Sequence, residues 1–167
     1  TEEQLTTDDP VHVLSQVDWH DQPERLRIEP ASLESVRERL HYLRMNGNAI
    51  FKVAVRNMAR VVSQLADTAR IKAEDIKLII PHQANLRIIE AMAKLLRFPM
   101  DRVFVNIQKY AKTSSATTII ALDEARRAGR VAAGDFIILV AFGAGLTWGA
   151  AKFKRVPGAE GEPASWH

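Results

Sequence analysis

His82 has the setting of a histidine that does chemistry. It follows the apolar run 75–80 (DIKLII) by one proline and precedes a helical pattern carrying Ile88, Ile89, Met92, Leu95 and Leu96. A neutral imidazole there could donate a hydrogen bond to a carbonyl oxygen, and the positive end of the following helix would disfavour its cation. Its plainer role is to cap or pack the strand end. Asn85, in the first turn of the same helix, could bind a ligand amide or cap its own helix. Lys112 is a candidate cation for an anionic group, and Thr113, Ser114 and Ser115 beside it are N-cap candidates. Gly143-Ala144-Gly145 offers small residues and backbone N–H groups suited to an oxyanion hole, and equally a tight turn between strands. A hydrolase pairing of Ser114 or Ser115 with His82 lacks the Gly-x-Ser-x-Gly elbow. His12, His20, His41 and His167 form no cluster with carboxylates, and there is no phosphate loop, metal-ligand spacing or dinucleotide fingerprint.

These residues need a scaffold that brings three loops together. Alternation predicts a strand over 11–19 and a short one over 25–28; the helical repeat predicts helices over 32–43 and 48–69. Leu33, Val36, Leu40 and Leu43 share one face of the first. Strands are expected at 75–80 and 103–107, a polar loop at 108–115, a helix at 116–128 with Gly129 as its C-cap, and paired strands at 136–142 and 146–153. Strands alternating with helices imply an α/β fold: a mostly parallel five-stranded sheet, helices on both faces and an antiparallel strand at one edge. Ligands in such sheets sit beyond the carboxyl ends of the strands, so the loops 81–85, 108–115 and 143–145 should open on one face.

With 167 residues, 47% hydrophobic and 26% charged, the chain can build one sizeable core. No apolar stretch reaches the ~20 residues of a membrane span, and no signal peptide is visible at the start. The chain has no cysteine, which excludes disulfides, thiolate metal sites and a cysteine nucleophile of its own. Cytoplasmic residence fits that. The net charge of +3 favours an acidic partner weakly. Nucleic acid is disfavoured, because the basic residues are dispersed with no aromatic platform among them. The first 10 residues are expected to fray and the tail 156–167 to be flexible.

Four motifs carry a family resemblance. They are Met45-Asn46-Gly47-Asn48 before Phe51-Lys52-Val53-Ala54-Val55, Pro81-His82-Gln83-Ala84-Asn85 with Leu86-Arg87-Ile88, Thr113-Ser114-Ser115-Ala116 with Ala121-Leu122-Asp123-Glu124-Ala125 downstream, and the run 141–149 (AFGAGLTWG). In their order and spacing, over about 43–153, they resemble β-ketoacyl-acyl-carrier-protein synthase III, a thiolase-fold condensing enzyme. The resemblance implies residues 44–155 as the C-terminal domain of such an enzyme, 1–43 as a weakly matched strand region with a connecting helix, and 156–167 as a tail. It implies the C-terminal half of a thiolase-like fold, whose N-terminal half, absent here, supplies the nucleophilic cysteine. His82 is then the catalytic histidine and Ala144 a backbone oxyanion donor. Gly143 and Gly145 flank the substrate, Gly47 and Asn85 lie near the pantetheine path of coenzyme A, and Arg87 meets the acyl carrier protein. Acyl-CoA and malonyl-ACP are the implied substrates, no cofactor is implied, and a homodimer is. One departure stands out: the family motif reads Asn-Thr-Ser where this chain has Lys112-Thr113-Ser114. That and the absent cysteine leave a second reading open, a non-catalytic module that binds carrier protein or an active synthase. A free-standing coenzyme A-binding or structural α/β domain is a third. Helices starting near Phe51 and near Ala116 are expected to leave an apolar patch uncovered, so that the lone chain dimerises or aggregates.

Overall fold

The computed structural model describes residues 11–17, 26–27, 32–40, 44–144 and 146–155. The expected frayed start (1–10), the flexible tail (156–167) and Gly145 lie outside the described residues. Along the chain come β1 (Val11–Val17), β2 (Leu26–Arg27), α1 (Leu33–Arg37), β3 (Arg44–Met45), α2 (Gly47–Thr68), β4 (Ile76–Pro81), α3 (Leu86–Leu96), α4 (Ile107–Tyr110), α5 (Thr117–Arg127), β5 (Phe136–Gly143) and β6 (Thr147–Lys154).

Four strands form the main sheet in the order β1-β6-β5-β4, and β2 pairs with β3 in a separate two-stranded ladder. β4 and β5 are parallel, whereas β6 is antiparallel to both of its neighbours. It follows that β1, β4 and β5 run one way and β6 alone runs the other. The antiparallel strand expected at an edge is therefore internal, because β1 pairs along its far side. The expected fifth strand over 103–107 is reduced to a single parallel bridge between Val103 and Ile79. Phe104 N–H still donates to the Ile79 carbonyl at 2.9 Å. Two residues later the backbone N–H of Asn106 donates to the Gln83 side chain instead of a strand neighbour, and Ile107 begins α4. A side-chain acceptor thus pulls the chain out of the sheet.

The alternation of the strands sorts the core onto two faces. Ile79, Ile138, Val140, Trp148 and Ala150 pack with α2 and α3 on one side. Leu78, Ile80, Ile137 and Leu139 pack under Ala121 and Ala125 of α5 on the other. Two alanines facing the sheet let α5 lie close to β4. α2 matches its expected span to within one residue at each end, starting where the Asn46 side chain accepts from Ala49 N–H at 3.1 Å. Its buried stripe, including Met58, Val61, Val62 and Leu65, is covered by this chain's own sheet and α3. The exposed patch expected at α2 is therefore not there. α5 does present Ile119 outward, 59% exposed.

The expected helix over 32–43 is a five-residue helix only. Arg39 turns left-handed at φ 58 and ends it, and Leu33 is 82% exposed instead of facing a core. Residues 41–43 lie outside the described ones. Gly129 closes α5 as expected, with φ 67 and its N–H donating to the Arg126 carbonyl at 3.0 Å.

Candidate active site

β4 delivers His82 to the carboxyl end of the sheet. Its backbone N–H donates to the Val140 carbonyl of β5 at 2.7 Å, extending the parallel ladder by one bond. The imidazole Nδ1 lies 2.5 Å from Thr117 Oγ1, the first residue of α5. Burial first, and the nearby Lys112 charge second, hold the imidazole below the ordinary histidine value of 6.5.

The sign of that shift fixes a pH dependence. An unfolded His82 takes up its proton near pH 6.5, while the folded one resists until a lower pH. The stability it contributes is fully present above 6.5 and is lost as pH falls from there toward the folded value. Urea midpoints at pH 7.5 and 5.5 should fall further for the unmodified protein than for His82→Gln. Equal falls would show that His82 is not held neutral.

Behind His82 sits a polar hub. Gln83 is 1% exposed. Its Nε2 donates to the Pro81 carbonyl at 2.7 Å and the Phe104 carbonyl at 3.2 Å, and its Oε1 accepts from Asn106 N–H at 3.0 Å. Asn106 Nδ2 in turn donates to Glu124 Oε2 of α5 at 2.8 Å, and Lys109 Nζ donates to Glu124 Oε1 at 2.6 Å. This network ties β4, the segment leading to α4, and α5 together. Neither Gln83 nor Asn106 is singled out by sequence reasoning, and neither is Thr117. An amide directly after the candidate histidine on an apolar strand was the available signal, since a buried amide needs partners.

The other expected residues divide between two clefts. One, of about 520 Å³, is lined by His82, Ser114, Ser115, Thr118, Gly143 and Trp148 among others. The second, of about 340 Å³, is lined by Gly47, Asn85, Lys112, Gly143 and Ala144 with Phe51, Ile88 and Leu146. Phe142 and Gly143, at the end of β5, border both. The loops after β4 and β5 and the 108–115 loop thus open on one face, as strand-end geometry requires. Lys112, however, lines the cleft that His82 does not.

Asn85 caps α3, its Oδ1 accepting from Arg87 N–H at 2.9 Å, and so occupies its carbonyl with its own helix while lining the second cleft. Arg87 itself is exposed on the first turn of α3 and lines neither cleft. Thr113, Ser114 and Ser115 do not cap α5; a 3-10 turn over Ser114–Ala116 runs into it without a side-chain cap. Ala144 is not among the described residues that have a positive φ. Its N–H meets no acceptor among the described residues. Thr147 Oγ1 donates to its carbonyl at 3.3 Å.

The loop that presents Lys112 is strained on both sides. Ala111 adopts φ 54, ψ −147, a region almost confined to glycine, and Ser114 has φ 54. Ala111→Gly should relieve strain worth about 1–3 kcal/mol and give back a part of it as extra freedom of the unfolded chain. The expected net gain is about 1 kcal/mol in urea unfolding. A loss of stability would overturn this conformation.

Among the described residues no group of His, Asp or Glu could hold a metal ion, and no helix is long and apolar enough to cross a membrane. Residues 66–155 match the family described as 3-oxoacyl-[acyl-carrier-protein (ACP)] synthase III C terminal. The beta-ketoacyl-[acyl-carrier-protein] synthase III of Aquifex aeolicus (strain VF5) is 51% identical over 121 residues, 70% of this chain and 39% of that protein. Its counterpart in Clostridioides difficile (strain 630) is 47% identical over 124 residues, 74% of this chain and 38% of that protein. The crystal structure of the synthase III from Aquifex aeolicus VF5 superposes with a TM-score of 0.76 at 41% identity, covering 88% of this chain and 46% of that one. The chain thus spans less than half the length of the relatives it matches. It belongs to the 3-oxoacyl-[acyl-carrier-protein] synthase III family, with that family's thiolase-like fold, and corresponds to the C-terminal part of its members.

Proposed function

We propose that this chain is the histidine-bearing part of a 3-oxoacyl-ACP synthase III, which condenses acyl-CoA with malonyl-ACP, with loss of CO2, to start fatty acid or related polyketide synthesis. The observation that carries the reading is His82, anchored through Nδ1 and held neutral, at the edge of a cleft that shares Gly143 with the Ala144 turn. The chain has no cysteine, so the nucleophilic thiol comes from an N-terminal half.

In this scheme the thiolate takes the acyl group from acyl-CoA. The malonyl thioester then enters, and its carbonyl oxygen accepts a hydrogen bond from His82 Nε2–H. That stabilises the enolate that forms as the bond to the carboxylate breaks and CO2 leaves. The carbanion carbon attacks the acyl thioester, the Ala144 N–H receives the developing oxyanion, and the thiolate departs. Gly47 and Asn85 border the pantetheine path, Arg87 meets the acidic carrier protein, and the enzyme works as a cytoplasmic homodimer without a cofactor.

One observation favours a second reading, a non-catalytic module that binds carrier protein or an active synthase. Lys112 stands where the family has an asparagine and borders the other cleft from His82. A long cation there does not replace a neutral amide donor aimed at the same carbonyl. The test is to combine the chain with the thiol-bearing half and measure condensation of malonyl-ACP. The expected result is measurable turnover, raised about 10²-fold in Lys112→Asn, the lower end of what one oxyanion donor supplies. Turnover only after that reversion supports the non-catalytic reading, and no turnover in either protein ends the synthase reading.

A further inference from the structure

The geometry assigns Thr117 as the positioning residue that fixes the tautomer of His82, donating its hydroxyl proton to Nδ1 and so leaving Nε2–H as the donor that faces the cleft. Thr117 is 2% exposed. A hydroxyl that deep cannot meet a substrate, so it acts through the ring it touches. Its Oγ1 has one hydrogen-bond partner among the described residues, His82 Nδ1 at 2.5 Å. Two proton arrangements fit that contact. If Nδ1–H were the donor, the hydroxyl proton would be buried with no acceptor among those residues, which is the costly case. If the hydroxyl donates, both groups are satisfied and Nε2 carries the imidazole proton.

The two partners are also held by separate elements. His82 is fixed to β5 through its backbone N–H, and Thr117 opens α5, whose Ala121 and Ala125 are fully buried on the sheet. Neither partner can drift without disturbing a packed layer. Threonine suits the position because its branched Cβ restricts χ1 and keeps the hydroxyl aimed at the ring.

The catalytic consequence rests on the condensing reading; the tautomer does not. The experiment is 15N NMR of the chain labelled at its five histidines, above the imidazole titration, with His82 assigned by its loss in His82→Gln. The expected spectrum shows one tautomer, with a pyridine-type Nδ1 and a pyrrole-type Nε2. Thr117→Val keeps the branched shape and should raise the other tautomer severalfold, and Thr117→Ser should restore the parent ratio. A pyridine-type Nε2 in the unmodified chain overturns the inference even if the variants do not fold, and so does an unchanged ratio in Thr117→Val. In the reconstituted enzyme, Thr117→Val should lower kcat about tenfold with KM unchanged, a loss confined to the transition state. If the parent enzyme does not condense malonyl-ACP, the synthase reading fails while the NMR result still decides the role of Thr117.

Discussion

Gln83→Leu should destabilise the protein by about 3 kcal/mol, more than any surface change in the same region. Leucine is close to glutamine in volume and somewhat larger, so a cavity is not the cause. The cause is three polar groups that lose their partner at once. The Asn106 N–H loses its acceptor, and the carbonyls of Pro81 and Phe104 lose their shared donor. An orphaned buried N–H costs about 1–3 kcal/mol, and a carbonyl that loses one bond costs less. Asn106 is itself buried, so water cannot step in freely. Against a typical total stability of about 5–15 kcal/mol, the loss should shift the urea midpoint visibly. Gln83→Glu should be worse at neutral pH, because it sets a carboxylate against two carbonyl oxygens, and should recover partly in acid. A change under about 1 kcal/mol in Gln83→Leu would mean that this hub does not hold the loops together.

That hub also explains which parts of the fold were legible in the sequence. α2 and the strands β4, β5 and β6 were readable because their apolar periods are long and uninterrupted, and local periodicity is enough to define such elements. The segment from Val103 reads as a strand on the same grounds. Only the Gln83 side chain, 23 positions away from Asn106, takes it out of the sheet. The same limit hid the place of β6. Its hairpin with β5 follows from the short turn, but its second partner is β1, more than a hundred residues earlier, and nothing local specifies that pairing. At the site, strand-end loops told where His82, Gly143 and Lys112 would gather. They did not tell that Phe142 and Gly143 would border two clefts, with His82 lining one and Lys112 the other. Thr117 was unreadable for a simpler reason. A threonine at a helix start looks like any other until the strand beneath it is known.

On the proposed condensing reading, His82→Ala should lower malonyl-ACP condensation by the reconstituted protein about 10³-fold, the upper end of what one preorganised donor to a developing oxyanion supplies. The step affected distinguishes a chemical role from a structural one. In that scheme, acyl transfer from acyl-CoA to the thiol of the N-terminal half draws on the thiolate and on the turn at Ala144. It should therefore change by less than about tenfold, since it does not use the lost donor. Decarboxylation of the malonyl thioester needs a donor at its carbonyl while negative charge builds there, and it should carry nearly the whole loss. The fold should change little by comparison. Removing the imidazole leaves the Thr117 hydroxyl without its partner, worth about 1–3 kcal/mol, while the backbone bond from residue 82 to Val140 persists. Single-turnover measurement of acyl-enzyme formation, set beside release of labelled CO2, separates the two steps. Equal losses in both would mark His82 as a structural residue at the strand end, the plainer role open to any histidine in that position.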